Sequence, residues 1–355
     1  MRRFLTTALI ASLCLVPTAK ADYDPIGSGT VKLILEKGFL AELKKQGVKV
    51  SAKAPAKLKA GTITLPALSG EMDPTIEKGT IETQGTIVFS KGSRTLPLRE
   101  LEVKLKQTPL YAKAGGGQLK LTEAKRTSFK RQGFGSAFQA KAMTLTEKVA
   151  TRLNKKLRTK DFFREGQLLG QVKTTTEPKL TTILPQGQAI ITPDPQLLAK
   201  FKSLFVSLNP ISPAELSAGP ILRFPIASGG ELAPNGSEGT LRTGGAIELL
   251  QLGAGQVFHK EYWFELGPKQ ALAEVDVEPT PAFPGKLGQI GVFGIDLGRA
   301  SVSSDPNSRT ISVSNAPLSL TAQTAQTFNQ AFAGGAPSFA AGETFGVVSF
   351  AAVGQ

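Results

Sequence analysis

The sequence predicts a mainly β protein: two tandem antiparallel β-sandwich-like domains, each with one or two short helices. Three observations carry this. The chain repeats its order of features once, so that GTVKLILEKGFLAELKKQGVKV from residue 29 is answered by GQAIITPDPQLLAKFKSLFVSL from residue 187. Both halves end alike, LTEKVATRLNKKLRTKDFFREGQLLGQV from Leu145 matching LTAQTAQTFNQAFAGGAPSFAAGETFGVV from Leu320. Glycine and proline also punctuate strand-length apolar or alternating runs throughout, which favours a sandwich or barrel over a βαβ arrangement. A repeat this long exceeds the roughly 20–50 residues of a solenoid unit, so each copy is domain-sized.

Taken in order, residues 1–21 read as a signal peptide. Arg2 and Arg3 precede an apolar run from Phe4 to Val16, and Ala19-Lys20-Ala21 supplies a small-x-small cleavage pattern. Cleavage near Ala21 would leave Asp22 first and place the product outside the cytoplasm, secreted or on the cell envelope. The apolar run falls short of the roughly 20 residues that a membrane span needs, and the sequence predicts no transmembrane segment in the mature chain. The first β domain is expected over 22–175, a linker over 176–186 that takes in most of the Thr-rich run TTTEPKLTTILP from Thr174 to Pro185, and the second β domain over 187–355. In the first domain GTITLPAL, GTIETQGTIVF, ELEVKLKQ and GQLKLTEA read as strands. In the second, ILRFPIA, GAIELLQL, EYWFELG, ALAEVDVEP, RASVSS and RTISVSN do, with a turn at Ser304–Ser308. Short amphipathic helices are expected near Lys37–Gln46 and Gln196–Val206. Longer ones follow Thr146 or Thr144, with Val149, Leu153 and Leu157 on one stripe, and Thr321 or Thr324, ahead of Phe328 and Phe332.

Composition narrows the chemistry. The one cysteine, Cys14, lies in the signal, so thiol chemistry and disulfides are not expected of the mature chain. With one histidine and no G-x-S-x-G or phosphate-loop motif, no catalytic set and no metal site are predicted. Carboxylate pairs such as Glu71/Asp73 and Asp276/Glu278 fit a solvated strand face better than glycoside hydrolysis.

Charge is divided unevenly. Residues 22–178 hold 29 Lys+Arg against 15 Asp+Glu, a net +14, whereas residues 179–355 hold 10 against 13, a net −3. A one-sided basic field concentrates polyanions, and an anionic cell-envelope polymer or lipid surface is the expected partner, with no specific nucleic-acid recognition. Lys125, Arg126, Lys130 and Arg131 interleave with Phe129, Phe134 and Phe138. This pattern reads either as a grip on a polyanion or as a solvated hairpin with a buried aromatic side. Lys155, Lys156 and Arg158, with Lys160, form a second basic cluster near the end of a helix, where the helix dipole favours cations.

The paired L-T…(L/F)-N…F…G-x3-G endings, the S-G…G-T blocks and the Phe-containing stretch near each start together resemble the haem-transport-associated (HtaA) domain family of secreted and surface-exposed bacterial proteins. The resemblance spans both copies. It implies antiparallel β-sandwiches with short helices, and haem bound through an early tyrosine and a histidine in a glycine-flanked hairpin. At the tyrosine's place this chain has Glu42 and Lys200. At the histidine's place it has Lys91-Gly92, and Leu252-Gly253 in the second copy. The resemblance therefore implies the scaffold with its usual ligands altered. A non-enzymatic binding or structural protein is the first expectation, with no cofactor. Haem held by displaced ligands is the alternative, with His259, Tyr262 and Tyr111 as candidates. On a regular strand His259 and Tyr262 point to opposite faces and could share a metal only across a bulge.

Overall fold

A computed structural model describes residues 23–105, 110–114, 117–124, 126–217, 219–278 and 285–355. The expected signal and its cleavage site lie outside these residues, as does Lys125. Among the described residues no helix is long and apolar enough to cross a membrane.

The first half comprises β1 (Asp24–Leu35), α1 (Lys37–Lys45), β2 (Lys49–Lys53), β3 (Lys57–Lys59), β4 (Thr62–Asp73), β5 (Lys78–Thr83) and β6 (Thr86–Lys91). It continues through β7 (Arg94–Lys104), β8 (Leu110–Ala114), β9 (Gly117–Lys120), β10 (Thr122–Glu123), β11 (Arg126–Gln132), β12 (Gly135–Leu145), α2 (Glu147–Leu157) and β13 (Leu168–Pro178). These strands form one antiparallel sheet along the path β10-β12-β13-β1-β4-β5-β7-β6-β2. The apolar positions of the alternating strands face a single core, against which α1 buries Phe39 and Leu43 and α2 buries Val149, Ala150, Leu153 and Leu157.

The second half has β14 (Thr181–Thr182), β15 (Gln188–Pro193), α3 (Pro195–Ser203), β16 (Val206–Ile211), β17 (Glu215–Ser217), β18 (Ile221–Pro225), β19 (Glu231–Leu232) and β20 (Gly239–Arg242). Then come β21 (Ala246–Gln251), β22 (Gly255–Glu265), β23 (Gln270–Val277), β24 (Lys286–Ile295), β25 (Ser301–Asp305), β26 (Thr310–Leu320), α4 (Ala322–Phe332) and β27 (Thr344–Val353). A second antiparallel sheet results, and its pairings repeat those of the first: β15 lies between β27 and β18 as β1 lies between β13 and β4. The predicted class is the observed one, mainly β with four short helices among the described residues. α3 stops at Ser203, short of the expected Val206, because Val206 already opens β16.

The repeated endings have a physical basis. Thr146 and Thr321 precede α2 and α4, and each hydroxyl donates to a carbonyl of a neighbouring strand, Lys120 O and Gly291 O, both at 2.7 Å. Asn154 and Asn329, one turn before each helix ends, clamp the phenylalanine of the next loop. Asn154 donates to Phe163 O at 2.7 Å and accepts from Phe163 N at 3.0 Å; Asn329 does the same with Phe339 at 2.8 and 2.7 Å. The last glycine of each G-x3-G lets two strands touch. A Cβ on Gly170 would sit 2.0 Å from Ile34 O, and one on Gly346 2.2 Å from Thr192 O.

The junction departs from the expected linker. The run from Thr174 to Pro178 is the second half of β13, paired on both sides with β1 and β12, and Thr174 and Thr176 are buried. β-branched threonines suit a half-buried pleat as well as a loop, so polarity alone misleads there. Only Lys179 and Leu180 separate β13 from β14. Asp24, buried in the first half, accepts hydrogen bonds from Thr181 Oγ1, Thr182 N and Thr182 Oγ1 at 3.0–3.2 Å. Phe134, at the turn between β11 and β12, belongs to the second half's core and is 2% exposed.

Candidate functional site

Two places gather chemically capable side chains, one in each domain. In the first domain, α1, the β6–β7 hairpin and the loop after α2 enclose an open cleft of about 850 Å³. Its walls carry Lys91, Arg158, Lys160 and Arg164 against Glu42, Asp161 and Glu165, with the half-buried Phe162 between them. The loop is held from beneath. Phe163 inserts into the core against Phe39 and Phe89, with ring centroids 6.4 and 6.3 Å apart, while Thr159 Oγ1 donates to Asn154 Oδ1 at 2.7 Å. Arg158, Lys160 and Asp161 adopt left-handed φ of +50°, +39° and +48°, a conformation that costs a non-glycine residue roughly 1–2 kcal/mol. The anchored loop therefore turns tightly and splays its charged side chains outward. Gln167 ties loop to helix, donating to Glu42 Oε2 at 3.1 Å. Among the described residues, Lys91, Arg158 and Lys160 have no ion-pair partner.

The basic surface continues along the outer side of α2. Lys148, Arg152, Lys155 and Lys156 line a second open groove of about 700 Å³ with Glu147 and Leu119. From Thr146 to Gly166 the chain thus carries seven Lys/Arg and three Asp/Glu, whereas the corresponding stretch of the second domain, Thr321 to Gly342, carries no charged residue. Lys155, Lys156 and Arg158 were legible in the sequence. Lys160 stands in the same cluster of the sequence, whereas Arg164 was missed, although its place between the clamped Phe163 and the end of the G-x3-G follows from the repeated ending.

The β11 cluster resolves as the hairpin with a buried aromatic side. Arg126 and Lys130 are exposed, but Phe134 and Phe138 are both 2% exposed and offer no stacking face. Arg131 is half-buried at the domain junction. Its Nε donates to Gly133 O at 3.2 Å and its buried Nη2 has no hydrogen-bond partner. Burial, and then the neighbouring Arg309, pull its guanidinium down to about 10, against the opposing pull of Asp24 and Asp73. Arg131 is therefore not a surface cation available to a polyanion.

The second place is the core of the second domain. A bulge in β22, with the register slipping between Lys260 and Trp263 and Glu261 at φ +50°, turns Tyr262 onto the face of His259. The expectation that the two side chains point to opposite faces is corrected by this one extra residue. Tyr262 Oη lies 3.3 Å from His259 Nδ1, and both residues are fully enclosed among Phe293, Phe328 and Phe224. Burial pushes the imidazole down to about 3 and the phenol well above its usual value, so both groups are neutral near pH 7. Neither can reach a ligand outside the core. Tyr111, the third haem candidate, stands on β8 opposite Glu102 in the other domain, with Lys104 Nζ 4.8 Å from its ring centroid.

At the places where the resemblance implies haem ligands, the residues present do not fit haem. Glu42 and Lys91, at the places where the resemblance implies tyrosine and histidine, do meet in the first domain's cleft. None of the residues lining that cleft is a His, Tyr, Cys or Met, the side chains that hold haem iron. At the matching place in the second domain, Lys200 pairs with Glu343 and donates to Ser338 O at 3.0 Å. Among the described residues no three His, Cys, Asp or Glu cluster as a metal site. The carboxylate pairs are separately engaged: Asp73 accepts from Thr75 N and Oγ1 at 2.8 and 2.5 Å, and Asp276 pairs with Lys260.

No family model matches the sequence, and no curated protein does. Among solved structures, the chain is similar to the C-terminal domain of HtaA from Corynebacterium glutamicum, with 14% identity over 48% of this chain and 98% of that domain and a TM-score of 0.37. It is also similar to the N-terminal domain of the same protein, with 15% identity, the same coverage and a TM-score of 0.36.

Proposed function

We propose that the protein is a secreted or envelope-associated binding module without enzymatic activity, whose first domain takes anionic envelope polymer along α2 and the loop that follows it. The contrast between equivalent elements carries this reading: seven cations lie between Thr146 and Gly166, and no charge lies between Thr321 and Gly342. A helix needs only its buried stripe and its caps to dock, as α4 demonstrates, so the outward cations of α2 serve something beyond the fold. They flank two open grooves, and Arg158, Lys160 and Arg164 extend the row around the cleft. A phosphate-rich polymer laid along this ridge would release counterions, and its affinity would fall about linearly with salt in log–log form.

The test is a titration of the mature chain with poly(glycerol phosphate) at several salt concentrations. Lys155→Glu, Lys156→Glu and Arg158→Glu together are expected to weaken binding at least about tenfold and to flatten the salt dependence. Arg126→Glu with Lys130→Glu is expected to do less. Salt-insensitive binding, or equal losses from the two sets, would overturn the assignment to α2.

A further inference from the structure

The end of the second domain that corresponds to the basic cleft is built differently. Among the described residues, Phe205 and Leu252 are its two most exposed apolar side chains, at 85% and 86%. Val206 pairs with Gln251 in the β16–β21 register, so Phe205 and Leu252 occupy the next step at its open end, and Gln251 Nε2 ties the two loops by donating to Leu204 O at 2.7 Å.

The backbone under Phe205 is the unusual part. Phe205 follows the C-cap of α3 with φ +56°, and its counterpart after the C-cap of α1 is Gly47, with φ +67°. Glycine is the ordinary residue at this left-handed step because a bulky side chain there strains the chain. A phenylalanine held in a glycine conformation and pointed into solvent gains nothing for the fold. Leu252 stands at the tip of the β21–β22 hairpin, where the β6–β7 hairpin carries Lys91 and Arg94.

The collar around the two tips carries little charge, with the exposed Glu278, whose N donates to Gln256 O at 2.9 Å, at its border. Residues 203–214, 249–258 and 321–342 contain no Lys, Arg, Asp or Glu. The third segment reaches this end because Gly255 packs against Ala331, where an added Cβ would lie 2.2 Å from Ala331 O. Of the nearby cations, Lys200 is paired with Glu343 and Lys202 is exposed in the last turn of α3.

We infer that Phe205 and Leu252 form a lipid-insertion tip that docks the second domain on a membrane surface. Two projecting side chains are too little for a stable protein interface, which needs roughly 800 Å² from each partner around a packed centre. A lipid surface accepts isolated apolar tips, which sink a few ångströms to the boundary of headgroups and acyl chains. A collar with little charge lowers the desolvation cost of that approach, and Lys202 can reach a lipid phosphate while its stem stays in the apolar layer. The binding expected is weak and reversible, of the order of a single acyl anchor or below.

The mature chain is floated with phosphatidylcholine vesicles, alone and mixed with phosphatidylglycerol. Wild type should float with both, and Phe205→Gly with Leu252→Ser should bind at least about tenfold less; the glycine suits the backbone, so this variant should fold. Phe205→Trp should shift its emission to the blue on phosphatidylcholine vesicles, against the constant Trp263 signal, and be quenched by brominated lipid. That shift should survive Lys155→Glu, Lys156→Glu and Arg158→Glu, which separates it from the polymer-binding reading. Unshifted emission, undiminished flotation of the double variant, or a concentration-dependent dimer that the double variant abolishes without vesicle binding would each overturn the inference.

Discussion

His259 and Tyr262 meet at 3.3 Å through a bulge that the first domain shares but uses differently. β7 slips register at Glu100, with φ +48°, as β22 does at Glu261, and the residues that correspond to His259 and Tyr262 are the buried Leu98 and Leu101. One backbone device thus packs two leucines in one core and a neutral polar pair in the other. The pair's surroundings are aromatic, and each partner answers the other's buried polar atom.

This relationship predicts a pH-dependent stability. His259 has a folded-state value of about 3, below the ordinary 6.5. Above pH 6.5 both folded and unfolded states are neutral at this residue and its stability contribution is fully present. As pH falls from 6.5 towards 3 the unfolded chain takes up a proton that the folded chain refuses, so stability declines by roughly 1.4 kcal/mol per pH unit. Urea unfolding at pH 7, 6 and 5 should show this slope, and His259→Leu, which copies Leu98, should flatten it. The variant should also lose about 1–3 kcal/mol at pH 7 by leaving Tyr262 Oη without a partner. An unchanged slope in His259→Leu would place the acid sensitivity elsewhere.

Phe134 ties the two halves together. It belongs to the first domain in sequence and to the second domain's core in space, next to Gly354, where an added Cβ would lie 3.3 Å from its ring. Phe134→Ala should therefore destabilise the second domain by about 3 kcal/mol while leaving the first domain's core intact. Hydrogen exchange resolved by segment would read this as faster exchange in β14, β19 and β27 than in β1 and β13. Uniform loosening of both sheets, or of the first alone, would contradict it.

The fold was legible because the repeat gave every reading twice: strand-length alternation, Thr146 and Thr321 before the helices, and the order of Asn and then Phe all recurred. The Thr174–Pro178 strand was not, since threonine serves a polar loop and a half-buried pleat equally well. Nor could the pairing of His259 with Tyr262 be read, because a bulge depends on cross-strand register, and Glu261 carries no local mark of its left-handed backbone. The basic residues of α2 were visible as a cluster, but their contrast with α4 became informative only once the two helices proved equivalent. Arg131 looked like its neighbour Lys130, and the partner domain that half-buries it leaves no signature within the hairpin.

The asparagine clamps should be separable from the helices that carry them. Asn329→Ala removes a donor to Phe339 O and an acceptor from Phe339 N, and leaving those backbone groups unpaired should cost about 2–3 kcal/mol. Asn154→Ala should cost a similar amount and also free Thr159, whose hydroxyl donates to the same oxygen. Loss of protection at the Phe163 amide, with α2's own amides still protected, is the expected exchange pattern. Unfolding of α2 itself would show that the clamp holds the helix rather than the loop.

Haem provides the last prediction, and the donor set decides it. Glu42 and Lys91 face one cleft with Arg158, Lys160 and Arg164, and a carboxylate and an ammonium do not take the place of the phenolate or imidazole that hold haem iron. Haemin added to the protein should give no defined Soret band at one haem per chain, and neither Tyr262→Phe nor His259→Leu should alter its spectrum, because both residues are sealed in the core. Glu42→Tyr combined with Lys91→His supplies the missing donors on the same walls, and this variant should gain a saturable Soret band. A stoichiometric band from the wild type would show that the cleft, or another site, finds a ligand outside this donor set. A band that vanished in Tyr262→Phe would mean that the core opens enough to admit the porphyrin.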